Sequence, residues 1–279
     1  MIGWRLPTLL LRPLTVAMRG LLLDGYMTRF LRGVARRVPT SLPDVSFGGT
    51  ERTAALRLGL WSPLLRGPMP GDPPGSVICG YVRASGLECA AVTPDVDAFL
   101  ASEPAPIVVG FGSVYARRAT PTLLALAEAC GDVGRRCLVI GHAAGVEFPS
   151  HTLAVRSAPY DAVFPRAAAV VIHGGSGTTG EALRAGRPIL GVPFAYDQFS
   201  LCARLERLRV GVSMPVARRT RADFTAILHR ILADDALARR ANDAGRRFTL
   251  DSDGADVAAD VISRVGGVAP RRAAGTRPT

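Results

Sequence analysis

Apolar residues in this chain gather into short continuous runs, separated by stretches that are polar or rich in glycine and proline. The runs at residues 107–111 (IVVGF), 137–140 (CLVI), 152–155 (TLAV) and 168–172 (AAVVI), with a fifth beginning near Pro188, read as strands buried on both faces. Apolar positions recur at helical spacing over residues 121–130, which open on a proline, and over 199–208, 221–233, 235–248 and 253–265, several with Asp or Thr near the start. Strands alternating with helices predict an α/β fold, a Rossmann-like doubly wound parallel sheet with helices on both faces. Ligands of such sheets bind outside the carboxyl ends of the strands, where successive loops diverge.

One of those strand ends carries an unusual turn. The run ending at Ile172 is followed by His173-Gly174-Gly175-Ser176-Gly177-Thr178-Thr179, and Asp197-Gln198 follow the next strand. The pattern reads as a strand, a turn of small residues and a helix opening at about Thr178. Glycines let the backbone approach a ligand, while the helix start directs unpaired N–H groups and the positive end of its dipole into the turn. A diphosphate suits that place. His173 can add a hydrogen-bond donor or a positive charge, and Asp197 and Gln198 supply acceptors and donors suited to sugar hydroxyls. A packing role accounts for the same residues in another way: Gly-rich turns also serve tight packing, Thr178-x-x-Glu181 fits a capping box, and Asp197 can cap the helix that follows it. Gly112 and Ser113 follow the first strand of the regular region, and Pro159 and Tyr160 lie before the fourth. Both pairs can reach the same crevice as His173.

Composition narrows the classes. With 48% apolar and 20% charged residues, the chain can bury a real core. The formal net charge of +11 rests entirely on arginine, because all 34 basic residues are Arg. Absence of lysine excludes a P-loop and Schiff-base chemistry. An arginine-rich surface favours nucleotide phosphates, anionic lipid or an acidic partner, and no nucleic-acid module accompanies it. Cys79, Cys89, Cys130, Cys137 and Cys202 are odd in number and lack metal-ligand spacing, so they read as buried free thiols in a reducing cytoplasm. His142, His151 and His229 have no paired acid. The strings Asp95-Val96-Asp97 and Asp251-Ser252-Asp253 lie at helix starts and read as caps, not as a metal site. Within residues 1–23, Arg5, Arg12 and Arg19 interrupt the apolar run before it reaches the ~18–20 residues that span a bilayer. The segment reads as a helix that packs on protein, with interfacial membrane attachment as the alternative.

The stretch from His173 to Gln198 closely resembles the donor-binding motif of the UDP-glycosyltransferase family with the GT-B fold, in particular its bacterial antibiotic and sterol glycosyltransferase-like members. Trp61-Ser62-Pro63 and Gly80-Tyr81 resemble the family's interdomain segment, residues 109–113 its first C-terminal strand and loop, and Ala158-Pro159-Tyr160-Asp161 the loop beside the nucleotide base. Members have two Rossmann-like domains, an N-terminal one holding the acceptor and the catalytic base and a C-terminal one holding the nucleotide sugar. The resemblance therefore implies residues 1–75 as a remnant of the first domain with the linker, 76–265 as the donor-binding domain, and 266–279 as a disordered tail.

It also implies roles for single residues. His173, Gly174, Gly175, Gly177, Thr178, Gly112 and Ser113 would hold the donor diphosphate, Asp197 and Gln198 the sugar, and Pro159 and Tyr160 the base. No residue is assigned as catalytic base, and no metal or other cofactor is expected. Tyr160 and Ala162 depart from the histidine and tryptophan common in the family. The implied function is hexosyl transfer with inversion from a nucleotide sugar, UDP-linked on the family's pattern, to a hydroxylated hydrophobic acceptor. A separate acceptor-binding subunit would complete the cleft, and self-association of the chain into a homo-oligomer is the other expectation. The alternatives are a non-catalytic nucleotide-sugar-binding protein and an enzyme resembling UDP-N-acetylglucosamine epimerases.

Overall fold

The computed structural model describes residues 54, 56–69, 72–82, 92–112, 119–141, 145–214, 218–251 and 253–266. Residues 1–53, the expected tail beyond Gly266, and Ser113, Cys89 and His142 lie outside that set. One compact unit comprises Leu58–Asp72 and the chain from Val77 onward; the other, Met1–Arg57 with Pro73–Ser76, falls almost wholly outside the described residues.

Among the described residues two short strands come first, β1 (Arg57–Gly59) and β2 (Ser76–Ile78), which form a two-stranded sheet. The main sheet is built from β3 (Ile107–Gly110), β4 (Cys137–Ile140), β5 (Thr152–Val155), β6 (Ala169–Ile172), β7 (Ile189–Gly191) and β8 (Gly211–Ser213). All its pairings are parallel, in the spatial order β5-β4-β3-β6-β7-β8. The order reverses between β3 and β6, which pair with Gly110 opposite Ile172. Loops leaving these two strands therefore travel in opposite directions and open a crevice above the switch point.

Strand periodicity of two divides the apolar runs between the faces of the sheet. Ile107, Val109, Cys137, Val139, Ala169, Val171 and Leu190 belong to one buried cluster, with Leu123 and Leu126 of helix α2 (Thr120–Asp132) and Phe224 and Leu228 of helix α6 (Arg221–Ala233). Val108, Leu138, Ile140, Val170, Ile172 and Ile189 belong to the other, with Val96 and Leu100 of α1 (Pro94–Ala101), Ala182 and Leu183 of α4 (Ser176–Ala185) and Phe248 of α7 (Asp235–Leu250). A four-residue α3 (Tyr160–Val163), α5 (Gln198–Arg207) and α8 (Gly254–Gly266) are the other α-helices among the described residues. Each large aliphatic side chain buried here contributes about 1.5–3 kcal/mol, so truncating a central residue such as Leu138 would cost about 2–5 kcal/mol.

Helix ends follow local chemistry. Thr220 and Asp223 form a reciprocal capping box at α6, and Asp234 caps α7 through the Leu237 N–H at 2.8 Å. Gly186 stops α4 in the left-handed region at φ 66°. The segment Trp61-Ser62-Pro63 is anchored to the end of α7, where the Ser62 hydroxyl donates to Asp251 at 2.8 Å. Both acidic strings are occupied by protein partners. Asp253 accepts from Ala255 N at 2.9 Å at the start of α8, as a cap should, whereas Asp97 pairs with Arg166 at 2.6 Å instead of capping. Cys79, Cys130, Cys137 and Cys202 are buried free thiols. His151 is bound to the Ala127 carbonyl at 2.8 Å. No helix among the described residues is long and apolar enough to cross a membrane.

Candidate functional site

The turn after β6 sits at the switch point. Helix α4 begins at Ser176, two residues earlier than the sequence indicates, because Gly175 takes the extended N-cap conformation (φ −65°, ψ 145°). A glycine has no side chain to cap with, and the Thr178–Glu181 capping box does not form. Glu181 pairs with Arg184 instead. The first bond of the helical ladder runs from Thr179 N to Gly175 O at 2.8 Å, so the N–H groups of Ser176, Gly177 and Thr178 precede it at the mouth of the crevice. Together with the helix dipole they form a positive, donor-rich end.

Two of the glycines are required by their neighbours. Gly174 has φ 85°, and a Cβ there would lie 2.6 Å from Cys202 Sγ and 2.9 Å from the Gln198 carbonyl oxygen. Gly175 has ordinary dihedrals, but a Cβ would collide with His173 Nε2 and lie 2.9 Å from Cε1. Gly177 differs from both: nothing lies within 4 Å of the space its Cβ would fill. That open volume adjoins the uncapped N–H groups.

His173 stands at the centre. Gly112, in the left-handed region at φ 65°, brings its backbone close, so that a Cβ on it would lie 3.5 Å from His173 Cε1. Burial lowers the imidazole pKa from its ordinary 6.5, opposed by a hydrogen bond to the Gly110 backbone and by the charge of Asp197. Burial thus favours the neutral ring, and an anion beside it would favour its protonation.

Asp197 precedes α5 but does not cap it with its side chain, and it is exposed. Its carboxylate is free of the packing role considered for it and lies within electrostatic reach of His173. Gln198 behaves differently. It is buried, and its Oε1 accepts from Phe194 N at 2.8 Å and Ala195 N at 3.0 Å. Only its amide N–H pair remains for a ligand. These bonds hold the loop after β7 in a shape that places Tyr196 at φ 56° with 88% of its surface exposed. A non-glycine residue in that region is strained, and it persists because its flanks are fixed. Arg219 fixes one of them by donating to the Pro193 carbonyl and lying 4.7 Å from the centroid of the Phe194 ring.

Pro159 and Tyr160 lie on the other side of β3. Tyr160 opens α3 and stacks on Phe164 with centroids 4.4 Å apart. Its ring covers Gly110, where a Cβ would come within 3.1 Å of the hydroxyl, and the oxygen accepts from the Gly112 backbone N–H. The tyrosine thus shapes the loop that leads toward Ser113. The structure brings His173, Gly174, Gly175, Gly177, Thr178, Gly112, Asp197, Gln198 and Tyr160 to one end of the sheet. Sequence reasoning missed Tyr196, Arg219 and Tyr81, the last of which reaches α4 from far along the chain. For Tyr81 a signal existed in the Gly80-Tyr81 pair, and for Tyr196 none did.

Residues 141–263 match the family model described as erythromycin biosynthesis protein CIII-like, C-terminal domain. An uncharacterised glycosyltransferase of Mycobacterium leprae is 34% identical over 186 residues, covering 65% of this chain and 44% of the relative. The O-mycaminosyltylonolide 6-deoxyallosyltransferase of Streptomyces fradiae is 37% identical over 162 residues, covering 57% of this chain and 38% of the relative. Among solved structures, spinosyn forosaminyltransferase superposes with a TM-score of 0.65 at 20% identity, covering 79% of this chain and 58% of that one, a likeness of fold. The chain spans less than half the length of these sequence relatives.

Proposed function

We propose that this chain, whose residues 141–263 match the C-terminal domain of erythromycin biosynthesis protein CIII-like proteins, binds a nucleoside diphosphate-sugar and serves as the donor half of an antibiotic-type GT-B hexosyltransferase. The observation that carries the reading is the meeting, at the switch point, of an uncapped helix N-terminus, a neutral half-buried His173 and an exposed, non-capping Asp197. The diphosphate lies against the N–H groups of Ser176–Thr178 with His173 as a further donor. Those groups stabilise the charge that grows on the leaving nucleoside diphosphate, and no metal or other cofactor enters the proposal. Asp197 accepts from donor sugar hydroxyls while the Gln198 amide donates to them, and Pro159 and Tyr160 flank the base. Transfer proceeds with inversion to a hydroxyl of a hydrophobic acceptor. The general base and acceptor pocket come from a second half, in a partner subunit or in further polypeptide, and the assembly works in the cytoplasm.

Calorimetric titration of the folded chain with UDP, dTDP and their hexose conjugates tests the assignment. Asp197→Ala should lower affinity for the nucleotide sugar toward that of the bare nucleotide and leave the latter unchanged. Equal weakening of both ligands would reduce Asp197 to a structural residue, and no binding of any nucleotide by the wild-type protein would end the proposal.

A further inference from the structure

Tyr81 leaves the β2 segment and crosses the first turns of α4. Its hydroxyl donates to the Gly177 carbonyl at 2.7 Å, with Glu181 Oε1 more distant at 3.5 Å. The ring rests on Gly180, where any Cβ would strike it, and lies 5.5 Å from the Phe248 ring. Its carbonyl accepts from Gly254 N at 2.9 Å, and a Cβ at Gly254 would stand 2.6 Å from the Gly80 carbonyl carbon. Three elements therefore hold Tyr81 in one place. Burial and the Glu181 charge push its phenol up to about 12, so it stays a donor across any working pH.

The carbonyl it binds already has a role in the helical ladder, accepting from the N–H four residues on, so Tyr81 occupies a second lone pair and relieves no orphaned group. What the bond does change is the peptide unit itself. Gly177 C=O and Thr178 N–H belong to the same amide, and donation to the oxygen polarises the N–H at the other end.

We propose that Tyr81 is a positioning residue, whose hydroxyl aims and polarises the Gly177–Thr178 peptide so that Thr178 N–H meets the diphosphate. The inference rests on the donor-site reading above. It ties the segment after β2 to the anion site through a single hydrogen bond.

The test compares the wild-type chain with Tyr81→Phe, which keeps the ring and removes the hydroxyl. Titration with UDP and dTDP should show affinity lowered about three- to tenfold, while uridine and thymidine bind as before, measured by competition, and the melting temperature holds. Gly180→Ala, which displaces the ring, should weaken diphosphate binding alone but add nothing in the Tyr81→Phe background. If the wild type binds UDP or dTDP and Tyr81→Phe binds them equally well, the positioning role is wrong although the donor site stands. A lowered melting temperature with unchanged diphosphate affinity would likewise make Tyr81 structural only. If the wild type binds neither nucleotide, the donor-site reading fails and this inference with it.

Discussion

Gly175→Ala separates the steric design of the turn from its stability. Its backbone, at φ −65° and ψ 145°, is open to any L-residue, so alanine introduces no torsional strain. The new methyl would sit against His173, 2.9 Å from Cε1 and nearer still to Nε2, where ordinary contact begins at 3.4 Å. The imidazole is the end of a flexible side chain and swings away by about half an ångström or more, breaking its alignment with a ligand in the crevice. Stability should fall somewhat, because alanine is a poorer N-cap than glycine. About 1 kcal/mol at most corresponds to a melting shift of roughly 2–4 °C. Binding should change more. A misaligned charge-assisted hydrogen bond is worth about 1.5–3 kcal/mol, or roughly 10- to 150-fold in affinity for UDP or dTDP. Adding His173→Ala to this variant should cost little more, since the interaction is already lost. Calorimetry and thermal melting on the same preparations check both halves. Wild-type diphosphate affinity in a folded Gly175→Ala protein would refute the placement of His173 on the ligand.

Gly177→Ala should do the reverse of a destabilising change. Its Cβ meets open space inside a helix, so the free protein gains about 0.5–1 kcal/mol in denaturant melts, while diphosphate affinity falls because the methyl enters the ligand's volume. His173 should also make binding proton-linked. Its pKa in the free folded protein lies below 6.5, so it adds no stability above that pH and costs stability as pH falls from 6.5 through the folded value. A bound diphosphate raises that pKa, so affinity should climb as pH falls below the bound-state value and level off below the free one. Titrations near neutral pH in buffers of different ionisation enthalpy should show proton uptake that vanishes in His173→Ala; uptake persisting in that variant would place the titrating group elsewhere.

The central strands were legible because burial on both faces leaves continuous apolar runs, as in residues 107–110 and 169–172. Edge strand β8 was not. Gly211-Val212-Ser213 offers one aliphatic side chain, and its pairing with β7 is decided by tertiary context. The glycines of the turn were visible as a group, but their differences were not: Gly174 answers to Cys202, Gly175 to His173, and Gly177 to nothing in the protein. Asp197 and Gln198 stood out as a pair, yet only the structure turns the Gln198 oxygen inward onto the Phe194 and Ala195 amides. Arg219 acts across a long sequence separation, where no local period carries a signal, and the Gly80-Tyr81 pair marks Tyr81 without indicating its reach to Gly177.

The most direct test of the donor-site account is a crystal structure of the chain with UDP or dTDP bound. It should place the diphosphate oxygens within about 2.7–3.2 Å of the backbone nitrogens of Ser176–Thr178 and of the His173 ring, above the junction of β3 and β6. A nucleotide seated elsewhere, such as the groove of about 430 Å³ between α4 and α7 lined by Arg184, Asn242 and Arg246, would contradict it.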